Sequence, residues 1–327
     1  MTARALAFLA LLASAPAFAQ QGDQSLAVYA STADTVTLAD GRGIHFTCMG
    51  EGSPTVILSA GLGDWGVVWN KVQPAIAETS RVCAWDRAGF GLSDPSPATQ
   101  TAAATTADLE EALTKGLAGP YVMVGHSMGS YESLLFTDRH RDAVVGMVLV
   151  DPSIPDQWAR FARAAPGFDL ASLERGGTAA MRACAAALRQ DQDAAPDECR
   201  PPFPPSYPDE LRQAIGALQT AERFETMASI NASVGESAVL AVNPARDYGA
   251  MPLLVLSAER RGAPPPGVSA QSIDEEIARG HEELAALSTS GVNSSVPGAT
   301  HAIQQVRPQA VIEAIEAVIA QARSAAR

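Results

Sequence analysis

A mostly parallel α/β sheet, covered by helices on both faces and interrupted late by a helical insertion, is the fold class the sequence predicts. Three observations predict it. Apolar runs of strand length recur without polar alternation, as strands buried on both faces require. Segments with helical spacing separate those runs. Residues 152–250 contain helical pieces but no clear strand.

The elements follow in order along the 327 residues, a length that suits one large domain plus an insertion. "TVTLAD" and "GIHFTCMGEG" are strands joined by the turn "DGRG", an opening hairpin. "PTVILSAGLG" is a buried strand ending in glycines, and "TSRVCAWDRAGFGLSD" is another running into a glycine-rich turn. "ADLEEALTKGL" is a helix, "PYVMVG" a strand, "MGSYESLLFTDRH" a helix, and "VVGMVLVDPS" a strand stopped by Asp151-Pro152. The insertion carries "SLERGGTAAMRACAAALRQ" and "YPDELRQAIGALQTAERFETMASI" as helices, split by "CRPPFPPSYP". "MPLLVLSAERR" returns to strand and "GVNSSVPGATH" gives a last short strand and loop. The closing helix lines up Val311, Ile312, Ile315, Val318 and Ile319 on one stripe. The expected division is a leader at 1–19, a sheet domain from 20–151 and 251–327, and an insertion at 152–250.

Charge and cysteines narrow the setting. With 23 basic and 36 acidic residues the formal charge is −13, which repels nucleic acid and anionic membrane surfaces. Residues 1–19 pair Arg4 with the apolar "ALAFLALLASA" and with Ala17-Phe18-Ala19, a signal-peptidase pattern cleaving after Ala19. The apolar run is shorter than the ~20 residues a bilayer span needs, so stable membrane insertion is not expected. Export to the periplasm or medium would allow disulfides. Each of Cys48 with Cys83 and Cys184 with Cys199 falls in one structural neighbourhood, and these are the expected pairs. The five histidines are scattered and show no metal-ligand spacing with the cysteines, so no metal is expected.

The chemistry centres on Gly125-His126-Ser127-Met128-Gly129, which follows a strand and opens a helix. A serine at the tip of such a turn needs small neighbours, and the helix behind it aims N–H groups at developing negative charge. A serine hydroxyl also needs a base within reach. His301 in "PGATHAIQ" follows the last short strand and can return to the strand ends, which His45, His140 and His281 are less well placed to do. His281 lies in "IARGHEELAALS", an acidic helical surface, and His126 is expected to pack away from the site. Asp151 and Glu259 both satisfy the chain order for the acid that orients the imidazole. Asp151, at a strand tip, is the favoured one and Glu259 the alternative. Two N–H donors for an oxyanion are expected from Met128 and from Leu62 in "AGLGD", where Gly61 and Gly63 permit close approach.

With those residues assembled, the chain resembles the α/β-hydrolase superfamily over nearly all of its length past the leader. "SAGLGDWGVVW", "RVCAWDRAGFGLSD", "VMVGHSMG", "VLVDPS" and "PGATH" carry the resemblance. It implies an eight-stranded, mostly parallel sheet with a helical cap inserted after strand six. It also implies a serine hydrolase that cleaves carboxylic esters, with amides or thioesters as alternatives, through an acyl-enzyme, with no cofactor and a small-molecule ester as partner. Two departures stand out. Ser59-Ala60-Gly61 replaces the common His-Gly before the oxyanion residue, and Arg261 occupies the usual acid position after strand seven, which favours Asp151. A serine rather than an aspartate at the nucleophile position argues against dehalogenase or epoxide-hydrolase chemistry. A non-catalytic ligand-binding relative, and a cofactor-free haloperoxidase or acyltransferase on the same triad, are the competing readings. Trp158, Phe161, Phe168, Phe203, Tyr207 and Phe224 are expected to form an apolar lid.

Overall fold

The structure, a computed structural model, describes residues 26–167, 169–191, 195–200, 203–259 and 269–325. The expected leader at 1–19, Phe168 and Arg261 lie outside the described residues.

Eight strands form one sheet: β1 (Thr35–Thr37), β2 (Gly43–Met49), β3 (Thr55–Ser59), β4 (Val82–Trp85), β5 (Tyr121–His126), β6 (Val144–Val150), β7 (Leu253–Ala258) and β8 (Gly291–Val296). Their order across the sheet is β1-β2-β4-β3-β5-β6-β7-β8. The opening hairpin and the β2–β4 pairing are antiparallel, and every other pairing is parallel. All residues of β3 and β5 are buried, which explains why their sequences read as unbroken apolar runs.

Alternate strand residues face opposite layers. Ile57, Met123, Leu149 and Val255 join a core with Leu109 and Leu113 of α2 (Ala102–Gly116) and Leu284 of α9 (Ala270–Ala285). Val56, Val122, Val148 and Leu256 join another with Ile76 of α1 (Gln73–Ala77) and Ile315 of α11 (Pro308–Ala325). All five residues of the apolar stripe in the closing helix are buried. Helix α3 (Gly129–Arg139) follows β5 directly, and α10 (Ile303–Val306) is a single turn before α11.

Among the described residues, five α-helices lie between β6 and β7: α4 (Gln157–Ala164), α5 (Leu170–Gln190), α6 (Asp209–Ala217), α7 (Ala221–Ala232) and α8 (Val234–Leu240). Asp169 and Thr220 cap α5 and α7 by accepting N–H bonds from their first turns. Helix α7 docks the insertion on the sheet domain: Thr226 Oγ1 accepts from Ser96 N–H at 2.9 Å, and the buried Arg223 donates to Gly91 O at 2.6 Å. Both expected disulfides are present. Cys48 faces Cys83 in the β2–β4 register, and Cys184 of α5 joins Cys199 in the short turn that follows. Among the described residues, no helix is long and apolar enough to cross a membrane.

Candidate active site

The site lies at the carboxyl edge of the sheet, where β5 and β6 end in register, His126 opposite Val150. The next residue on each strand, Ser127 and Asp151, has a left-handed backbone, with φ of 48° and 38°. A non-glycine residue holds that conformation only where its surroundings over-determine it. Here Ser127 N–H donates to Val150 O at 3.2 Å, and Asp151 N–H to Leu256 O at 2.7 Å. The sharp turn explains both flanking glycines. A Cβ at Gly125 would sit 2.5 Å from Gly129 O, and one at Gly129 would sit 2.5 Å from Ser59 O. Neither position can hold a side chain without moving backbone.

The structure brings His301 to Asp151 and leaves Glu259 elsewhere. His301 Nδ1 donates to Asp151 Oδ2 at 2.6 Å, and Asp151 Oδ1 accepts from Ala258 N–H at 2.9 Å. The carboxylate is almost wholly buried while the imidazole remains half-exposed, so the ring is oriented from one side and open on the other. Glu259 instead accepts from Gly298 N–H at 2.5 Å, bracing the loop that carries His301. Gly298 itself has φ of 67°.

Leu62 lies in the loop after β3 and Met128 in the turn after Ser127. Among the described residues, no backbone carbonyl of the turns and loops accepts an N–H from either. Gly61 packs directly on the Ser127 turn. A Cβ there would meet His126 Nδ1 at 2.9 Å and Ser127 Cβ at 3.3 Å. The side chain of Leu62 is partly exposed and joins Trp158, Leu170, Leu173 and Val234 around a cavity of about 180 Å³. Sheet domain and insertion therefore meet at the Leu62 loop. A wider groove of about 810 Å³ runs between α4 and α9, but its Arg160 is already paired with Glu276 and Glu283.

Of the expected lid aromatics among the described residues, only Trp158 lines the smaller cavity. Phe161 is buried in the core, Phe203 and Tyr207 pack with Leu26, Tyr29 and Trp65, and Phe224 packs against Ala185 and Leu188. His281 is also misplaced by the sequence reading. It is fully buried, with Nδ1 bonded to Ser257 Oγ at 2.7 Å and Nε2 to Pro152 O at 3.0 Å.

Several residues of the site were not foreseen. The His126 ring stacks obliquely on His301, centroids 4.7 Å apart, and its Nε2–H donates to His301 O at 3.0 Å. Burial, reinforced by the positive charge His301 can carry, pushes His126 down to about 3, so it is neutral at physiological pH. Asp64 has its carboxyl raised by burial, opposed by Arg87 and His301. Arg87 and Glu132 are fully buried and paired beneath the Gly61 loop. No group of His, Cys, Asp and Glu among the described residues could hold a metal ion.

Comparison with known proteins bears on the fold. The family model for the alpha/beta hydrolase fold matches residues 54–218. An uncharacterized protein of Schizosaccharomyces pombe is 40% identical over 83 residues, 25% of this chain and 16% of its own length. The uncharacterized protein YqjL of Bacillus subtilis is 32% identical over 108 residues, 33% of this chain and 43% of its own. The chain thus spans less than half the length of these relatives. The structure of a thermophilic esterase from Thermogutta terrifontis superposes with a TM-score of 0.58 at 22% identity, covering 88% of this chain and 98% of that one. That likeness establishes the shared fold.

Proposed function

The chain belongs to the alpha/beta hydrolase fold family, and from that premise we propose that it is an exported serine hydrolase of carboxylic esters. The observation that carries this reading is the 2.6 Å contact between His301 Nδ1 and Asp151 Oδ2, beside a serine held at a left-handed strand tip. Ser127 Oγ attacks the ester carbonyl while His301 Nε2 takes the hydroxyl proton. Asp151 holds the Nδ1–H and balances the imidazolium that forms. The carbonyl oxygen, now an oxyanion, is received by the N–H groups of Leu62 and Met128. Collapse of the intermediate expels the alcohol, which takes its proton from His301 Nε2 and leaves an acyl-Ser127. Water, deprotonated by the same imidazole, then releases the acid and restores the serine.

The modest volume of the cavity beside Leu62, lined by Trp158, Leu170, Leu173 and Val234 together with Glu174 and Asn231, supports a short acyl or aromatic group. Asp151 beside His301 supports catalysis over a ligand-binding relative, because a carboxylate is supplied without the position of Arg261. The sequence pattern of residues 1–19 and the two disulfides support export.

The test is labelling with a fluorophosphonate probe, followed by turnover of p-nitrophenyl esters of graded acyl length. Labelling of the wild type and none of Ser127→Ala is expected, with turnover falling for long acyl chains. A folded wild-type protein that neither labels nor hydrolyses any member of the series would refute the reading. Recovery of protein beginning at Gln20 from the periplasm or medium tests the export step.

A further inference from the structure

The "DRAGFG" turn stood out in the sequence, yet neither nucleophile, base nor acid comes from it. Its arginine lies inside the molecule. Arg87 is 2% exposed and Glu132, from the first turn of α3, is 0% exposed. Arg87 Nε donates to Glu132 Oε1 at 2.5 Å and Nη2 to Oε2 at 2.9 Å, a forked pair. The remaining edge of the guanidinium faces the loop after β3. Nη2 also donates to Ala60 O at 2.5 Å, and Nη1 to Gly61 O at 2.9 Å. Thr105 Oγ1 of α2 completes the cluster by donating to Glu132 Oε1 at 2.8 Å.

Peptide planarity turns this into a statement about the site. In a trans peptide the C=O and the following N–H point in opposite directions. Holding Gly61 O toward Arg87 therefore aims Leu62 N–H away from it, and holding Ala60 O does the same for Gly61 N–H. The same loop packs on the Ser127 turn, where a Cβ at Gly61 would meet His126 Nδ1 and Ser127 Cβ. Because Glu132 belongs to the helix that follows Ser127, one ion pair ties the donor loop to the nucleophile's own helix.

Resting on the serine-hydrolase reading above, we propose that Arg87 and Glu132 are positioning residues for the oxyanion site, setting the direction of the Leu62 N–H through the carbonyls behind it. Lysine cannot do this: its single ammonium lacks the planar fork that meets a carboxylate and two carbonyls at once.

The experiment compares an ester with the thionoester of the same structure. Sulfur in place of the carbonyl oxygen is a weak acceptor, so the thionoester draws little from N–H donors. We expect Arg87→Lys to lower kcat on the ester ~10²-fold with KM within about twofold, the loss typical of a misdirected oxyanion donor. The thionoester rate should fall by less than about threefold, since it never used the donor. Glu132→Gln keeps the shape of the pair and should compress the same ratio to a smaller degree. A folded variant of either kind that retains the wild-type ester-to-thionoester ratio, or loses both rates in proportion, would overturn the proposal. Should Arg87→Lys not fold, Glu132→Gln decides by the same ratio. An inactive, unlabelled wild type would overturn the serine-hydrolase reading and this proposal with it; an active wild type whose ratio ignores both substitutions overturns this proposal alone.

Discussion

His126 offers a measurement that tests the packing of the site independently of its activity. Replacing it with phenylalanine keeps an aromatic ring against His301 but removes a titrating group whose native value lies near 3 instead of the ordinary 6.5. The value is depressed, so acid protonates the unfolded chain before the folded one. Stability that is intact above about 6.5 is lost as the pH falls toward 3. At pH 4.5, about two units below the unfolded value, the loss from this one group is about 3 kcal/mol. The assay is urea unfolding of wild type and His126→Phe at pH 7.5 and about 4.5. His45 is buried too, but its bond to Asp86 and contact with the Ser31 carbonyl raise it despite burial, and its contribution is common to both proteins. Wild type should lose about 3 kcal/mol more than the variant between the two conditions. Equal losses would refute the reasoning, because His126 would then titrate alike in the folded and unfolded chain.

Other substitutions probe the remaining parts. Asp151→Asn should lower kcat ~10⁴-fold with little change in KM, while Glu259→Gln, which braces the Gly298 turn, should cost far less; steady-state kinetics on one ester ranks them, and the reverse order would point to Glu259 as the acid. Gly61→Ala places a methyl against His126 and Ser127, so about 1–3 kcal/mol of overpacking and a fall in kcat are expected, read by thermal unfolding and turnover. Opening the Cys48–Cys83 bridge, which closes a separation of 35 residues, should cost about 4 kcal/mol against about 3 for the 15-residue separation of Cys184–Cys199, measured by denaturant unfolding of the paired serine variants.

What could be read from the sequence was whatever is written locally. The strand–serine–helix turn, the strand tip at Asp151 and the loop around His301 each declare themselves within a few residues. The sheet order then brings them together without further instruction. Arg87 and Glu132 lie 45 residues apart and resemble ordinary surface charges, so nothing in the sequence marks them as one buried unit. The His126–His301 contact spans 175 residues and depends on how the last loop returns over the sheet. His281 was misread because Glu282 and Glu283 follow it; on α9 those carboxylates do not share the face that packs on β7. Phe161, Phe203, Tyr207 and Phe224 pack away from that cavity for another reason. An isolated aromatic in an insertion carries no periodicity to say whether it faces the site or the insertion's own core.

The paired left-handed residues at the tips of β5 and β6 have an evolutionary meaning. Each such non-glycine conformation costs roughly 1–3 kcal/mol, against a typical total stability of about 5–15 kcal/mol. Glycine would relieve the strain at either tip, but a glycine at 127 has no hydroxyl and one at 151 no carboxylate. Mutational drift toward a sturdier fold and retention of chemistry thus pull in opposite directions at two neighbouring positions. A descendant of this chain with no use for that hydroxyl and that carboxylate would be free to become more stable by losing them.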